Sequence, residues 1–257
     1  MARVHPTAVV DPGAKLADGV ELGPYCVVGG DVELGAGVQV GPHVVIVGRT
    51  VIGPRTRIFP FSVIGEAAQV EGAEGGGGLS IGADNVVREF SSIHAGSAAG
   101  DGPTQIGDGN FLLNNVHVAH DCRIGSHCIL ASLSALAGHV EVEDHAVLGA
   151  MVGVHQFCRI GEHSFTGAGT LLSKDVLPFS RVAGQRARFI GVNAVGLRRR
   201  GFAPEKVAEL KHVFHLLFHA KQRLRPALDR VAREHAGSPE VERLLRFVAA
   251  SRRGITR

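Results

Sequence analysis

The stretch Asn115-Val116-His117-Val118-Ala119-His120-Asp121-Cys122-Arg123-Ile124 decides the fold, because Val118 and Ile124 belong to an apolar series with a six-residue period. From Ile106 the series runs through Leu112, Val118, Ile124, Leu130, Leu136, Val142, Leu148, Val154, Ile160, Thr166 and Leu172. The same beat opens the chain, as Val4, Val10, Leu16, Leu22, Val28, Leu34, Val40, Ile46, Ile52, Ile58 and Ile64. A helix repeats every about 3.6 residues and a strand every two, so neither explains this period held for so long. Six-residue repeats build a parallel β-helix, in which each hexapeptide is one short strand with its aliphatic side chain inward. Three hexapeptides close a coil of 18 residues, and coils stack about 4.8 Å apart, the ordinary spacing of paired strands. Glycine follows many of the aliphatic positions, as in Leu22-Gly23, Leu34-Gly35 and Ile52-Gly53, where a small residue relieves crowding at the corner.

The beat slips twice, across Glu71-Gly72-Ala73-Glu74-Gly75-Gly76-Gly77-Gly78 and across Ala95-Gly96-Ser97-Ala98-Ala99-Gly100-Asp101-Gly102-Pro103. Extra residues in a solenoid leave the stack as external loops, which are either neutral insertions or part of a binding face. The four cysteines, Cys26, Cys122, Cys128 and Cys158, each stand two residues before an aliphatic of the series, the phase also held by Val20, Val32, Val38 and Val44. That shared phase predicts small buried side chains rather than disulfides or metal ligands.

After Lys174-Asp175-Val176-Leu177-Pro178 the period ends. Val192 to Gly201 leads into helix, and Ala203-Pro204-Glu205 opens a stretch with Val207, Leu210, Val213, Phe214, Leu217 and Phe218 at helical spacing, proline being tolerated in a first turn. A further helix is expected around Leu228 and Val231, and Ser238-Pro239-Glu240 reads as the capped start of a last one. The expected organisation is a β-helix domain over residues 1–189 and a helical domain over 190–257 that covers the open edge of the solenoid. The formal charge of +3 gives no reason to expect nucleic acid. The opening Met1-Ala2-Arg3-Val4-His5-Pro6 has no signal-peptide core, and no apolar run has the length of a membrane span, so a cytoplasmic protein is expected.

Within the coils, residues 18 apart stack. His120, Gly138 and Gln156 form one column, Asp121 and His139 the next, and Ala137 and His155 the one before. A catalytic imidazole needs one nitrogen free to take a proton and a partner for the other, and Asp121 is the nearest partner for His120. A glycine one coil along leaves a backbone N–H unshielded, as an oxyanion hole in acyl transfer requires. No serine or cysteine stands in a nucleophile's relation to these groups, so attack by a hydroxyl of the substrate is expected. The plain alternative is a set of outward-facing surface histidines.

Ala119-His120-Asp121-Cys122, Leu136-Ala137-Gly138-His139, Val154-His155-Gln156-Phe157-Cys158, Gly191-Val192-Asn193 and Gly196-Leu197-Arg198-Arg199-Arg200-Gly201-Phe202 together closely resemble the UDP-N-acetylglucosamine acyltransferase family. The resemblance covers nearly the whole chain and implies a left-handed parallel β-helix with a C-terminal helical domain, assembled as a homotrimer with sites between subunits. It implies transfer of a 3-hydroxyacyl chain from acyl carrier protein to the 3-hydroxyl of UDP-N-acetylglucosamine, the opening step of lipid A biosynthesis, with no cofactor and no metal. His120 would be the general base, Asp121 its orienter and the Gly138 amide the oxyanion donor. His117, His139, His155, Gln156 and Gln69 would line the substrate site, and Asn193, Arg199 and Arg200 would meet the nucleotide diphosphate, a suitable use of guanidinium forks. Ala168 matches the position that limits acyl length. Four positions depart from the family: Val70 replaces an acidic residue that contacts the sugar, the basic residue that follows it is missing from the glycine-rich stretch, Val195 replaces a glutamate, and Arg186 replaces a histidine. These leave open a 3-amino sugar nucleotide as acceptor. The rival classes are another hexapeptide acyltransferase, a zinc hydro-lyase of the γ-carbonic anhydrase kind, and a scaffold without catalysis.

Overall fold

The computed structural model describes residues 1–71, 76–100, 102–218 and 223–257. Among them the strands form three sheets, one of eleven strands and two of nine, whose paired coils run parallel and which are each visited once per coil. The register shows the expected coil length directly, with His117 opposite Ala135 and Ala135 opposite Gly153. Most strands are two residues long and turn one side chain inward, so Leu112, Val118, Ile124, Leu130, Leu136, Val142 and Leu148 fill a continuous core. The period therefore sets both the sheets and the core.

All four cysteines are free and fully buried among these aliphatics. Burial pushes the Cys122 and Cys128 thiols up to about 12 and Cys158 to about 11, so they remain neutral packing groups. The glycines after the aliphatic positions answer close approach between coils. A Cβ on Gly53 would come 2.5 Å from the carbonyl carbon of Gly82 in the next coil. The left-handed backbone positions of the corners are, by contrast, often filled by bulky residues. Tyr25, His43, Phe61 and Phe90 all have φ between 56° and 62°, and their rings stack along one edge at 5.0 to 5.1 Å. Stacking offsets a backbone cost of about 1–2 kcal/mol per residue.

The two slips in the beat meet each other. Gly76–Ile81 continues one parallel sheet but also pairs antiparallel, through Gly76 and Gly78, with Gly96–Ser97 from the second insertion. Residues 72–75 and 101 of these stretches lie outside the described residues.

The C-terminal end of the β-helix is closed by an antiparallel hairpin, Ser180–Ala183 with Arg188–Val192, which the sequence pattern does not announce. The hairpin's second strand crosses the expected boundary at 189/190, and helix begins at α1, Ala194–Arg199. Then come α2, Pro204–Phe218, α3, Leu224–Glu234, and α4, Pro239–Ala250. They share a second core in which Phe179 from the last corner packs with Leu197, Leu210, Phe214, Val231 and Leu244. The helix expected after Ser238 is present, but Ser238 does not cap it. Its hydroxyl donates to Glu209 Oε2 at 3.0 Å and accepts from Lys206 Nζ at 3.1 Å, because the ion pair across the bundle competes for it. No helix among the described residues is long and apolar enough to cross a membrane.

At the junction of the two cores His163 stacks on His145 at 4.6 Å and meets Phe202 edge-on at 5.0 Å. Its Nδ1 is buried with no hydrogen-bond partner among the described residues. Burial first, then the charges of His145, Arg200 and Arg243, draw its pKa from 6.5 down to about 4, against the weaker opposing pull of Asp144. A histidine depressed on folding binds its proton more readily when unfolded, so its stabilising share is complete above pH 6.5 and is lost as pH falls toward 4. His163→Phe would keep the ring stack and remove the titration. The variant is expected to lose less of its thermal midpoint than the wild type between about pH 7 and about pH 5. Equal losses in both proteins would assign the acid sensitivity to other groups.

Candidate active site

His120 and Asp121 occupy the corner that follows the strand His117–Val118. His120 Nδ1 lies 2.7 Å from Asp121 Oδ2. Asp121 has a left-handed backbone, with φ 59°, and its carboxylate is only 5% exposed. It is held on the other side by Ser97, whose N–H donates to Oδ1 at 3.0 Å and whose Oγ–H donates to Oδ2 at 2.7 Å. The Asp121 N–H donates to Thr104 Oγ1 at 2.9 Å. Burial pushes this carboxyl up, but the hydrogen bonds from His120 and Ser97 outweigh it and hold the group below its ordinary value. An ionised carboxylate only accepts, so Nδ1 of His120 is the donor and Nε2 carries the lone pair. That nitrogen is the one placed to take a proton.

One coil along, Gly138 lies buried beneath the His120 ring, where a Cβ would come 2.5 Å from Cε1 and 2.7 Å from Nε2. Only glycine admits the ring here. The Gly138 carbonyl accepts from Phe157 N–H, while none of the hydrogen bonds among the described residues uses the Gly138 N–H. His139 meets His120 edge-on at 5.3 Å, brings Nε2 to 3.5 Å from Asp121 Oδ2 and stacks on Phe157 at 4.6 Å. His120, Asp121 and His139 also form a set able to hold a metal ion.

On the adjoining sheet His117 Nδ1 lies 2.8 Å from Ser92 Oγ, and its ring packs against His94. Burial and the neighbouring charge of His94 lower its pKa, so it is neutral near pH 7. His117 and His155 line one groove with Ala135, Gly153, Leu171 and Arg186. Gln156 is exposed beside His155, and Gln69 is exposed next to Val70, just before the first insertion.

The remaining expected residues are elsewhere on the chain. Ala168 is exposed at the corner after Phe165–Thr166, a different edge of the triangle from that of His120. Asn193 is buried, and its amide is engaged at both ends: Nδ2 donates to the His163 carbonyl at 2.9 Å and Oδ1 accepts from Gly196 N–H at 3.3 Å. It caps α1. Arg200 ends that helix, with its charge felt by His145 and His163, while Arg199 is exposed. One chain therefore brings His120, Asp121, Gly138 and His139 together at one corner, places His117 and His155 in a groove on the sheet leading to it, and sets Ala168 at another corner and Arg199 and Arg200 at the end of α1. Sequence reasoning missed Ser97 and Thr104; the only signal was their place in and beside the second insertion.

A parallel β-helix of hexapeptide repeats with a His–Asp pair over an unshielded glycine is an acyltransferase framework, and residues 103–138 match the family model described as bacterial transferase hexapeptide (six repeats). Residues 175–256 match the model described as UDP N-acetylglucosamine O-acyltransferase, domain 2. The chain is 52% identical to the acyl-[acyl-carrier-protein]–UDP-N-acetylglucosamine O-acyltransferase of Alkalilimnicola ehrlichii and 50% identical to that of Thiobacillus denitrificans, with 100% of each chain covered. Among solved structures, it superposes on LpxA of Acinetobacter baumannii with a TM-score of 0.94 at 36% identity, covering 99% of both chains. On the UDP-N-acetylglucosamine acyltransferase of Francisella novicida the TM-score is 0.95 at 36% identity, covering 100% of this chain and 94% of that one. The chain belongs to the UDP-N-acetylglucosamine O-acyltransferase family.

Proposed function

We propose that the protein transfers a 3-hydroxyacyl chain from acyl carrier protein to the 3-hydroxyl of UDP-N-acetylglucosamine, as the first step of lipid A biosynthesis in the cytoplasm. The observation that carries the mechanism is the His120 ring, tied to Asp121 through Nδ1 at 2.7 Å and free at Nε2 above Gly138. Nε2 takes the proton of the sugar hydroxyl as its oxygen attacks the thioester carbonyl. The oxyanion formed there is met by the Gly138 N–H. Collapse breaks the carbon–sulfur bond, and the imidazolium gives the proton to the departing thiolate, which leaves as the carrier's thiol. Asp121 holds the ring and stabilises its charged form. His117, His139, His155, Gln156 and Gln69 line the acceptor and acyl site.

The separation of corners supports a homotrimer. Ala168, Arg199 and Arg200 serve the same substrate as His120 only if a neighbouring chain supplies them. In that assembly the arginines meet the diphosphate, Asn193 shapes the end of α1 that carries them, and Ala168 bounds the acyl groove. Light scattering is expected to give a mass three times that of the chain.

The test is one assay of purified protein with UDP-N-acetylglucosamine and 3-hydroxyacyl carrier proteins of several chain lengths, products being identified by mass. Acylated sugar nucleotide from one or two donors, undiminished by a chelator, is the expected result. Val70 is exposed where an acidic residue would face the sugar, so the panel includes the 3-amino sugar nucleotide. Product from that acceptor alone would move the assignment to amide formation, and activity lost with stoichiometric zinc would overturn it.

A further inference from the structure

We infer that the second insertion, through Ser97 and Gly100 and with Thr104 just beyond it, is a holder for the catalytic carboxylate and that Ser97 is a positioning residue of the reaction; this rests on the functional reading above. In a regular coil nothing outside the stack touches a corner side chain, and Asp121 would face solvent. Here the extra residues leave the solenoid, run antiparallel against Gly76 and Gly78, and return over the corner. Ser97 is thereby buried to 6% exposure and spends both its N–H and its hydroxyl on the two oxygens of Asp121. Thr104, where the chain rejoins the sheet, receives the Asp121 N–H. Gly100 crosses so close to the carboxylate that a Cβ there would overlap Oδ1. Asp121 is thus gripped at backbone and side chain by Ser97 and Thr104, while from the site itself His120 Nδ1 meets it at 2.7 Å and His139 Nε2 comes to 3.5 Å.

The grip has a chemical use. A carboxylate with two rotatable bonds would follow the imidazole or turn to water, and the ring it orients would wander with it. The two donors of Ser97 fix one oxygen each, so the His120 ring is aimed before substrate arrives. Ser97 does not touch the reacting atoms; it acts through Asp121.

Steady-state kinetics of the full-length protein test this. Ser97→Ala removes one donor to Oδ2 and leaves the backbone donor, so kcat is expected to fall about tenfold with KM for both substrates little changed. Ser97→Thr keeps the hydroxyl and is expected to recover most of that loss. Gly100→Ala, whose backbone needs no unusual φ, forces the carboxylate aside and is expected to lower kcat further, again without a matching rise in KM. His120→Ala is run beside them. Undiminished kcat in Ser97→Ala while His120→Ala is inactive would overturn the inference, as would a loss confined to KM or a Ser97→Thr variant as slow as Ser97→Ala. Full activity in His120→Ala would instead overturn the functional reading on which it rests.

Discussion

His120→Ala is expected to lower kcat by about a hundredfold or more while leaving the fold and the KM values nearly unchanged, because the variant lacks the one nitrogen placed to accept the sugar's proton. The fold should survive. His120 is a corner residue whose side chain is 16% exposed, and the buried positions that hold the coil, Val118 and Cys122, are on either side of it. Asp121 keeps its two donors from Ser97, so the substitution strands no buried charge. The comparison with Asp121→Asn separates base from orienter. An amide at 121 would offer His120 Nδ1 an uncertain partner and allow the wrong tautomer, so it should also be slow, but its defect lies in aiming a base that is still present. A His120→Ala enzyme within about threefold of wild type would remove general-base catalysis from this corner. The thermal midpoint, measured on the same preparation, keeps a lost fold from being mistaken for a lost base.

How much of this is legible without coordinates follows from where order is imposed. A hexapeptide repeat ties sequence separation to space, so the alignment of Asp121 with His139 and of His120 with Gly138 and Gln156 can be read by counting, and the structure keeps it. The cysteines follow for the same reason, since their phase is the inward one. Legibility stops where the period does. The approach of Ser97 to Asp121 spans 24 residues and an insertion, and nothing in the local pattern says which way extra residues turn. The hairpin after Phe179 escapes notice because two short strands without a hexapeptide beat look like loop. Ser238 is a good cap by residue type, yet Lys206 and Glu209 on another helix claim its hydroxyl. Asn193 shows a further limit: its amide caps a helix within this chain, so the nucleotide role proposed for it acts through the helix it starts. That Ala168 stands at a different corner from His120 also follows by counting, since their separation is not a whole number of coils; which chains would share a site in the proposed trimer does not.

Gly138→Ala is the sharper variant, and we expect it to lower kcat about as far as His120→Ala, near a hundredfold, with little loss of stability. Gly138 is not among the glycines with a positive φ, so alanine meets no backbone penalty. The added methyl instead meets the His120 ring, at 2.5 Å from Cε1 and 2.7 Å from Nε2. The ring must yield, since the opposing atoms of the corner belong to the stacked backbone. It cannot do so while keeping its 2.7 Å hydrogen bond to Asp121, because that carboxylate is itself held by the N–H and hydroxyl of Ser97 and its backbone N–H is tied to Thr104 Oγ1. A displacement of about 1 Å at a reacting group costs on the order of a hundredfold. The methyl also covers the N–H assigned to the oxyanion, so one substitution strikes two parts of the mechanism. A double-mutant cycle tells them apart. If the loss comes from the displaced ring, adding Gly138→Ala to His120→Ala costs nothing more, for there is no ring left to move. If the second substitution still slows the residual reaction, the covered N–H acts independently of the base. Near wild-type kcat in the single variant would mean that the ring does not work from above Gly138, and both roles assigned to this pair would fail together.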